Sequence, residues 1–291
     1  MSRGDSGSEQ KQGVRKGTVA AVVIVAVIAV CAIIAVVVAL VGGGDSNNDA
    51  RPTVPVPSTT DGPRPQNASG DEANQGLGVP TTDVFGGRVD VPNWPGGWAL
   101  PQTPVDHRPY SPAVPVDAPT GMMWQKVNDG VVVPFSTSDG PTTVDGLSAR
   151  GFGHSPQGAA LAGWQILFRI TGSNNEVGRS IYDSQVLMSK DLRQQLNARL
   201  DAEGPYYRSS TAQQMKYFGR GAAFRVQEYQ DDLAVVEYAF RAVPGSNGTD
   251  QWSVARMPMV WVDGDWKLQY PDTAAGFEAG TVNSLEGWTT W

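Results

Sequence analysis

Residues 252–270 read WSVARMPMVWVDGDWKLQY, and their pairing decides what kind of domain this chain builds. Asp263-Gly264 is a two-residue loop of the kind that tolerates positive φ in a tight hairpin, and it sits between two alternating runs. With that loop fixed, Trp261 faces Trp266, Met259 faces Leu268 and Met257 faces Tyr270, all on one side of the ribbon. Arg256, Lys267 and Gln269 take the other side. A slip of one residue would send every bulky group to the wrong face, so the register is strongly specified. The sequence therefore predicts an antiparallel sheet with one apolar face that other elements must cover.

Working outward, Ala222–Tyr229 and Leu233–Val243 alternate like strands around the turn residues Asp231-Asp232, and Gly245-Ser246-Asn247-Gly248 leads into Trp252. Three helices precede them. Ser155 is placed to cap the first, with Pro156 at its first position, where the missing N–H costs nothing. Ala159, Leu161, Trp164, Ile166, Leu167 and Phe168 follow up to Gly172, so apolar groups surround this helix and it is the expected centre of the core. Asn174 to Leu187 is weakly amphipathic through Val177, Ile181 and Tyr182; Ser189 then caps a third helix with Leu192, Leu196 and Leu200 at four-residue spacing, ended by Gly204-Pro205. Met122–Lys126 and Val131–Ser136 read as short strands joined through Asn128-Asp129-Gly130. The expectation is an α+β domain over residues 120–291, three helices packed on a curved antiparallel sheet.

The N-terminal portion is different. Val19 to Val41 runs 23 residues without a polar side chain. A helix of that length, at about 1.5 Å per residue, exceeds the roughly 30 Å of a bilayer's hydrocarbon core. A transmembrane helix over residues 18–41 is expected. Arg3, Lys11, Arg15 and Lys16 lie before it, and Asp45 and Asp49 after it. That asymmetry predicts a cytoplasmic tail at 1–17, a plasma-membrane protein of single-pass type, and an extracytoplasmic C-terminal domain. The lipid bilayer is then a partner. Ala21, Ala32, Ala35 and Ala39 form a small-residue stripe that would allow a homo-oligomer through the span.

Residues 42–119 hold fourteen of the 21 prolines and read as a Pro-rich linker or arm. Its second half also carries Val84, Phe85, Val91, Trp94, Trp98, Leu100, His107 and Tyr110. Two readings are open: the arm docks on a partner as an extended ligand, or it packs back on its own domain.

Composition narrows the function. The net charge is −7, and beyond the expected span 18 basic residues face 27 acidic ones, which disfavours direct nucleic-acid binding. The single cysteine, Cys31, lies within the apolar run, so no disulfide framework is expected outside it. The two histidines, His107 and His154, show no metal-ligand spacing with other residues. Gly153-His154-Ser155-Pro156-Gln157 has Gln157 where a nucleophile elbow needs glycine, and no histidine follows Ser155. No catalytic, cofactor-binding or metal residue is expected, and no enzyme. Helices on a curved sheet can enclose a cone lined by aromatics; Trp164, Trp261, Trp266 and Tyr270 would line such a pocket or fill it as core.

Together these elements resemble the nuclear transport factor 2-like fold: a capped core helix, two more helices, then a meander ending in Val262-Asp263-Gly264-Asp265-Trp266-Lys267-Leu268. The run from Gly151 through Gly153-His154-Ser155-Pro156-Gln157 to Ala160, and the tail from Leu285-Glu286-Gly287-Trp288 onward, are similar to stretches in actinobacterial membrane proteins associated with mobile elements. The layout resembles the TcpC-type assembly proteins of conjugative type IV secretion. That resemblance implies a non-enzymatic scaffold of a cell-envelope complex, in conjugative DNA transfer, with envelope protein partners. The alternative is a tethered binding domain for a small apolar ligand or cell-wall fragment. The family's tandem second domain has no room in this chain.

Overall fold

The computed structural model describes residues 76–291, apart from 129, 212–214, 216–217, 242–250 and 272–276. The hairpin that opened the sequence reading forms as its pattern requires. Strand β10 (Trp252–Val262) pairs with β11 (Asp265–Gln269), with Trp261 opposite Trp266 and Met259 opposite Leu268. Asp263 at φ 56° and Gly264 at φ 80° make the loop, both left-handed, as a two-residue hairpin turn of matching twist demands. β8 (Ala223–Gln230) and β9 (Leu233–Arg241) extend the meander antiparallel to it. The short strands β7 (Val186–Leu187), β12 (Glu278–Val282) and β13 (Thr289–Thr290) complete a seven-stranded sheet. Its path is β13-β8-β9-β10-β11-β7 with β12 beside β10, and the β11–β7 pairing is parallel.

Helix α1 (Pro156–Gly172) starts at the Ser155 cap, whose hydroxyl accepts from Gly158 N at 2.9 Å. It crosses the apolar face of the sheet. Gly163 marks the closest approach: a Cβ there would come within 2.4 Å of the Tyr238 hydroxyl, so only glycine lets helix and sheet meet. Tyr238 in turn donates to the Ala160 carbonyl at 2.7 Å. The opposite face of α1 is covered by a second hairpin, β3 (Met123–Val127) and β4 (Val131–Phe135). Here Trp164 Nε1 donates to Val132 O at 3.2 Å and Gln165 Nε2 to Pro134 O at 2.7 Å. Helix side chains thereby satisfy carbonyls of a buried strand. Between the two layers, α1 is buried along almost its whole length.

α2 (Asn175–Gln185) packs on α1 and the β11–β7 edge, and α3 (Lys190–Glu203) packs on α2. Ser189 caps α3 as the sequence indicates, accepting from Leu192 N, and Asn174 caps α2, accepting from Val177 N. Upstream, β1 (Thr81–Thr82) pairs with β2 (Arg88–Val89), Asp90 joins the edge of β3, and β5 (Thr143–Val144) pairs with β6 (Ala149–Arg150).

The expected fold class is corrected on three points. Among the described residues no helix is long and apolar enough to cross a membrane. The longest is α1 at 17 residues, short of the roughly 20 a span needs, and its surface, which includes Gln157, Gln165 and Arg169, is covered by protein. The expected span at 18–41, the tail and the linker up to residue 75 lie outside the described residues, as does the Gly245–Gly248 turn. The folded part gives the single-pass anchor, the plasma-membrane location, the extracytoplasmic placement and the bilayer as partner no element to rest on. Second, the three helices do not form one layer on the sheet: α1 alone crosses it and α3 is carried by α2. Third, the core helix is enclosed from behind by β3–β4, so the unit is richer in sheet than the nuclear transport factor 2-like expectation.

The arm settles which open reading its residues follow. Val89, Ala99 and Leu100 are buried, and Trp94 and Trp98 pack against the core. Trp98 N donates to Gln125 Oε1 at 2.7 Å while Gln125 Nε2 donates back to Trp98 O at 2.8 Å. From residue 76 onward the arm lies on its own domain.

Candidate functional site

The densest polar cluster lies where α1 begins. Asp139 is almost fully buried on the Gly-rich connection before β5. Its Oδ1 accepts from Ser155 Oγ at 2.7 Å, its Oδ2 from Ser138 Oγ, and both oxygens lie 3.0 Å from His107 Nε2. Serine, histidine and aspartate thus meet, in an order unlike a nucleophilic triad. A triad needs histidine between serine and carboxylate, so that the imidazole takes the serine proton. Here the carboxylate is in the middle, and Ser155 Oγ is committed to it and to Gly158 N. The arrangement fastens the arm at His107 to the capped end of α1. No local motif announces this cluster: Asp139-Gly140-Pro141 reads as a turn, and His107 lies 32 residues away from Asp139.

The second histidine is elsewhere. His154 is exposed and stacks on Trp261, with ring centroids 4.0 Å apart and planes 7° from parallel. Its Nε2 meets the Asp231 carbonyl, and Tyr229 Oη donates to the His154 carbonyl at 3.2 Å. Tyr110 of the arm packs on Tyr229 at 5.8 Å.

The four aromatics expected to line or fill a cone do not converge on one space. Trp164 is fully buried, stacked on Phe168 at 4.2 Å with Trp124 and Trp291 edge-on around it. Trp266 is equally buried and donates Nε1 to Gly153 O at 2.9 Å. Trp261 is half-buried beneath His154, with its ring 5.2 Å from Trp266. Tyr270, just past the end of β11, lines a cleft with Leu167, Tyr182, Arg199 and Leu200. That cleft has an interior of about 40 Å³, room for a few waters, whereas benzene needs a cavity on the order of 150 Å³.

Electrostatics follow the same structural logic. On the outer sheet face Glu237 sits between Arg225 and Arg256, each 2.6 Å away. Burial pushes its carboxyl up, but the hydrogen bonds and charges of the two arginines outweigh it and hold the group below the usual range. Asp265 is pushed up by burial, partly offset by the N–H groups of Gly151, Trp266 and Phe152, which it accepts. Arg169 is wholly buried, and loss of hydration lowers it to about 10, so it stays charged near neutrality. Its guanidinium donates to Gln165 Oε1, Asn128 Oδ1 and the Gly96 carbonyl, at 2.8, 2.9 and 2.8 Å. Among the described residues no group of three or more His, Cys, Asp or Glu is placed to hold a metal ion.

Residues 90–290 match a family described as Domain of unknown function (DUF8175). The chain belongs to this family. No curated protein and no solved structure matches the chain. The DUF8175 unit begins at Asp90, where the arm joins the domain: Asp90 N donates to Trp124 O at 2.8 Å, and Lys126 N to Asp90 O at 2.9 Å. The family's unit therefore includes the arm from that point, together with the β3–β4 hairpin that encloses α1.

Proposed function

We propose that this chain is a non-catalytic assembly component that works through protein–protein contacts within a larger complex, with further copies of itself among the candidate partners. The setting suggested by the resemblance to TcpC-type proteins is conjugative DNA transfer. The observation that carries the reading is the Asp139 cluster: the side chains best suited to acid–base or nucleophilic work are spent on fastening the arm to α1. The aromatic residues fill the interior, and the 40 Å³ cleft counts against a small apolar ligand. The test is photo-crosslinking of the full chain in cells that produce it, with reporters at Val79, Val105, Val114 and Tyr206, four exposed large apolar positions. Discrete higher-mass products are expected. Recovery of uncrosslinked chain alone from all four positions would overturn the reading.

A further inference from the structure

The outer face of the meander is sealed at one end only. There Trp288 and Leu285 of the tail pack with Ala223, Ala239, Trp252 and Val254. Toward the hairpin tips the face is open. Ala234, Val236, Met257 and Met259 are fully buried on the α1 side, so alternation turns Leu233, Val235, Pro258 and Val260 outward. The strand register makes these four one block, with Leu233 opposite Val260 and Val235 opposite Pro258. All four are half-buried, and none is among the side chains packed against either buried cluster. Glu228 and Gln230 flank the block on β8, and Lys267 flanks it on β11.

Along the strands, charge of opposite sign stands at the two ends of this block. Beyond Leu233, at the β8–β9 tip, Asp231 and Asp232 are exposed and in no ion pair among the described residues. Beyond Val235 come Arg225 and Arg256 around the buried Glu237, two arginines against one glutamate, with the arginine side chains 36% and 57% exposed. A face that is acidic at one end, apolar in the middle and basic at the other is complementary to itself turned end for end. A two-fold axis across the strands, between the Leu233–Val260 row and the Val235–Pro258 row, sets Leu233 of each copy on Val235 of the other, and Val260 on Pro258. The same rotation carries each Asp231-Asp232 tip over the other copy's arginine row. An axis along the strands would stack tip on tip, acid against acid, so the charges choose between the two. Such a closed interface makes every contact twice, and antiparallel sheets pack face to face in this way at about 10 Å. We infer that the partner of this face is a second copy of the chain, docked about the axis that crosses the strands. The inference rests on the assembly reading and names one partner and the surface it uses.

The test uses two differently tagged full-length copies produced in the same cells, with a photo-crosslinking reporter at Gln230, an exposed residue on the rim. A product that carries both tags is expected. Leu233→Glu in both copies, or Val235→Lys in both copies, should cut its yield roughly tenfold, since each docked pair would then bury two unpaired charges. Leu233→Glu in one copy and Val235→Lys in the other should restore it, because the axis brings those two positions together; a variant that only misfolds is not rescued by its partner. Asp231→Lys combined with Asp232→Lys in both copies should lower the yield as well, by setting lysine over arginine. A doubly tagged product that survives these substitutions, or that the mixed pair does not restore, overturns the inference. Products from Val79, Val105, Val114 or Tyr206 without a doubly tagged one from Gln230 overturn it and leave the assembly reading standing. No product at any position overturns both.

Discussion

The arm has two halves of opposite fate. Residues 76–100 carry three prolines and residues 101–119 six, and both are short of regular structure. The first is built into the core: Val89, Ala99 and Leu100 are buried, Gln125 grips both backbone groups of Trp98, and Arg169 holds the Gly96 carbonyl. The second is a strap that lies on the surface at separate points: Tyr110 and Val116 pack inward, while Val105, Ala113, Val114 and most of its prolines stay in solvent. The difference comes from where bulky side chains fall and which buried polar groups wait for the backbone. The denser prolines go with the surface half, yet three prolines do not keep the first half out of the core. A chain without repetitive hydrogen bonding can still be buried if side chains meet its orphan backbone groups.

The strongest way to break the contrast is Arg169→Ala. It leaves the Gly96 carbonyl, the Asn128 amide and the Gln165 amide without their buried donor, and opens a cavity beside them. A loss of several kcal/mol is expected, since three neutral acceptors lose their donor at about 1–3 kcal/mol each where water cannot reach them, offset in part because the buried charge goes too. Urea denaturation should show a lower midpoint at an unchanged slope; a midpoint within error of the parent chain would refute the role given to Arg169. Gln125→Ala comes next. It strands both Trp98 N–H and Trp98 C=O, at about 1–3 kcal/mol for each group left unpaired and fully buried, less where water can reach. Hydrogen exchange should then accelerate in residues 94–100 before it does in the sheet.

Changes to the strap should be smaller. Ser155→Ala removes the helix cap and one of the bonds to Asp139, for roughly 1 kcal/mol. His107→Ala should speed exchange across residues 103–116 while leaving the unfolding midpoint nearly in place. A large drop in midpoint would mean that the strap is as integral as the first half. The smallest effect is one of pH. The Arg108 hydrogen bond holds the Asp117 carboxyl below the usual range. A carboxyl whose folded pKa is depressed contributes above its unfolded value and loses that contribution as pH falls through the folded one. Strap exchange should therefore quicken on acidification below the ordinary aspartate range, by a step that Asp117→Asn abolishes.

The two hairpins show how far sequence could be taken. Trp252–Gln269 was legible because alternation, a loop whose residues accept positive φ and same-face aromatics all agree on one register. β3–β4 was legible as two short strands, but not its position behind α1. Nothing in Val131-Val132-Val133-Pro134-Phe135 states that Trp164 and Gln165 will reach its carbonyls from 31 or 32 residues away. The same limit hid the Asp139 cluster, whose members are serines and an aspartate in turn-like surroundings, and a histidine in a proline-rich segment. Trp261 and Trp266 look equivalent in the alternation, yet only the structure puts His154 over one and seals the other in the core.

By itself the sequence determined the local elements. Caps at Ser155 and Ser189, the Asp263-Gly264 loop and the apolar periods of α1 and the meander act within a few residues, where propensity and pattern suffice. The tertiary structure alone decided that α1 lies between two sheet layers, that Arg169 and Gln125 bind half of the arm into the core, and that the other half is left facing outward. These depend on pairings across long separations between buried polar groups and backbone, and such pairings have no period, spacing or composition by which a linear reading could find them.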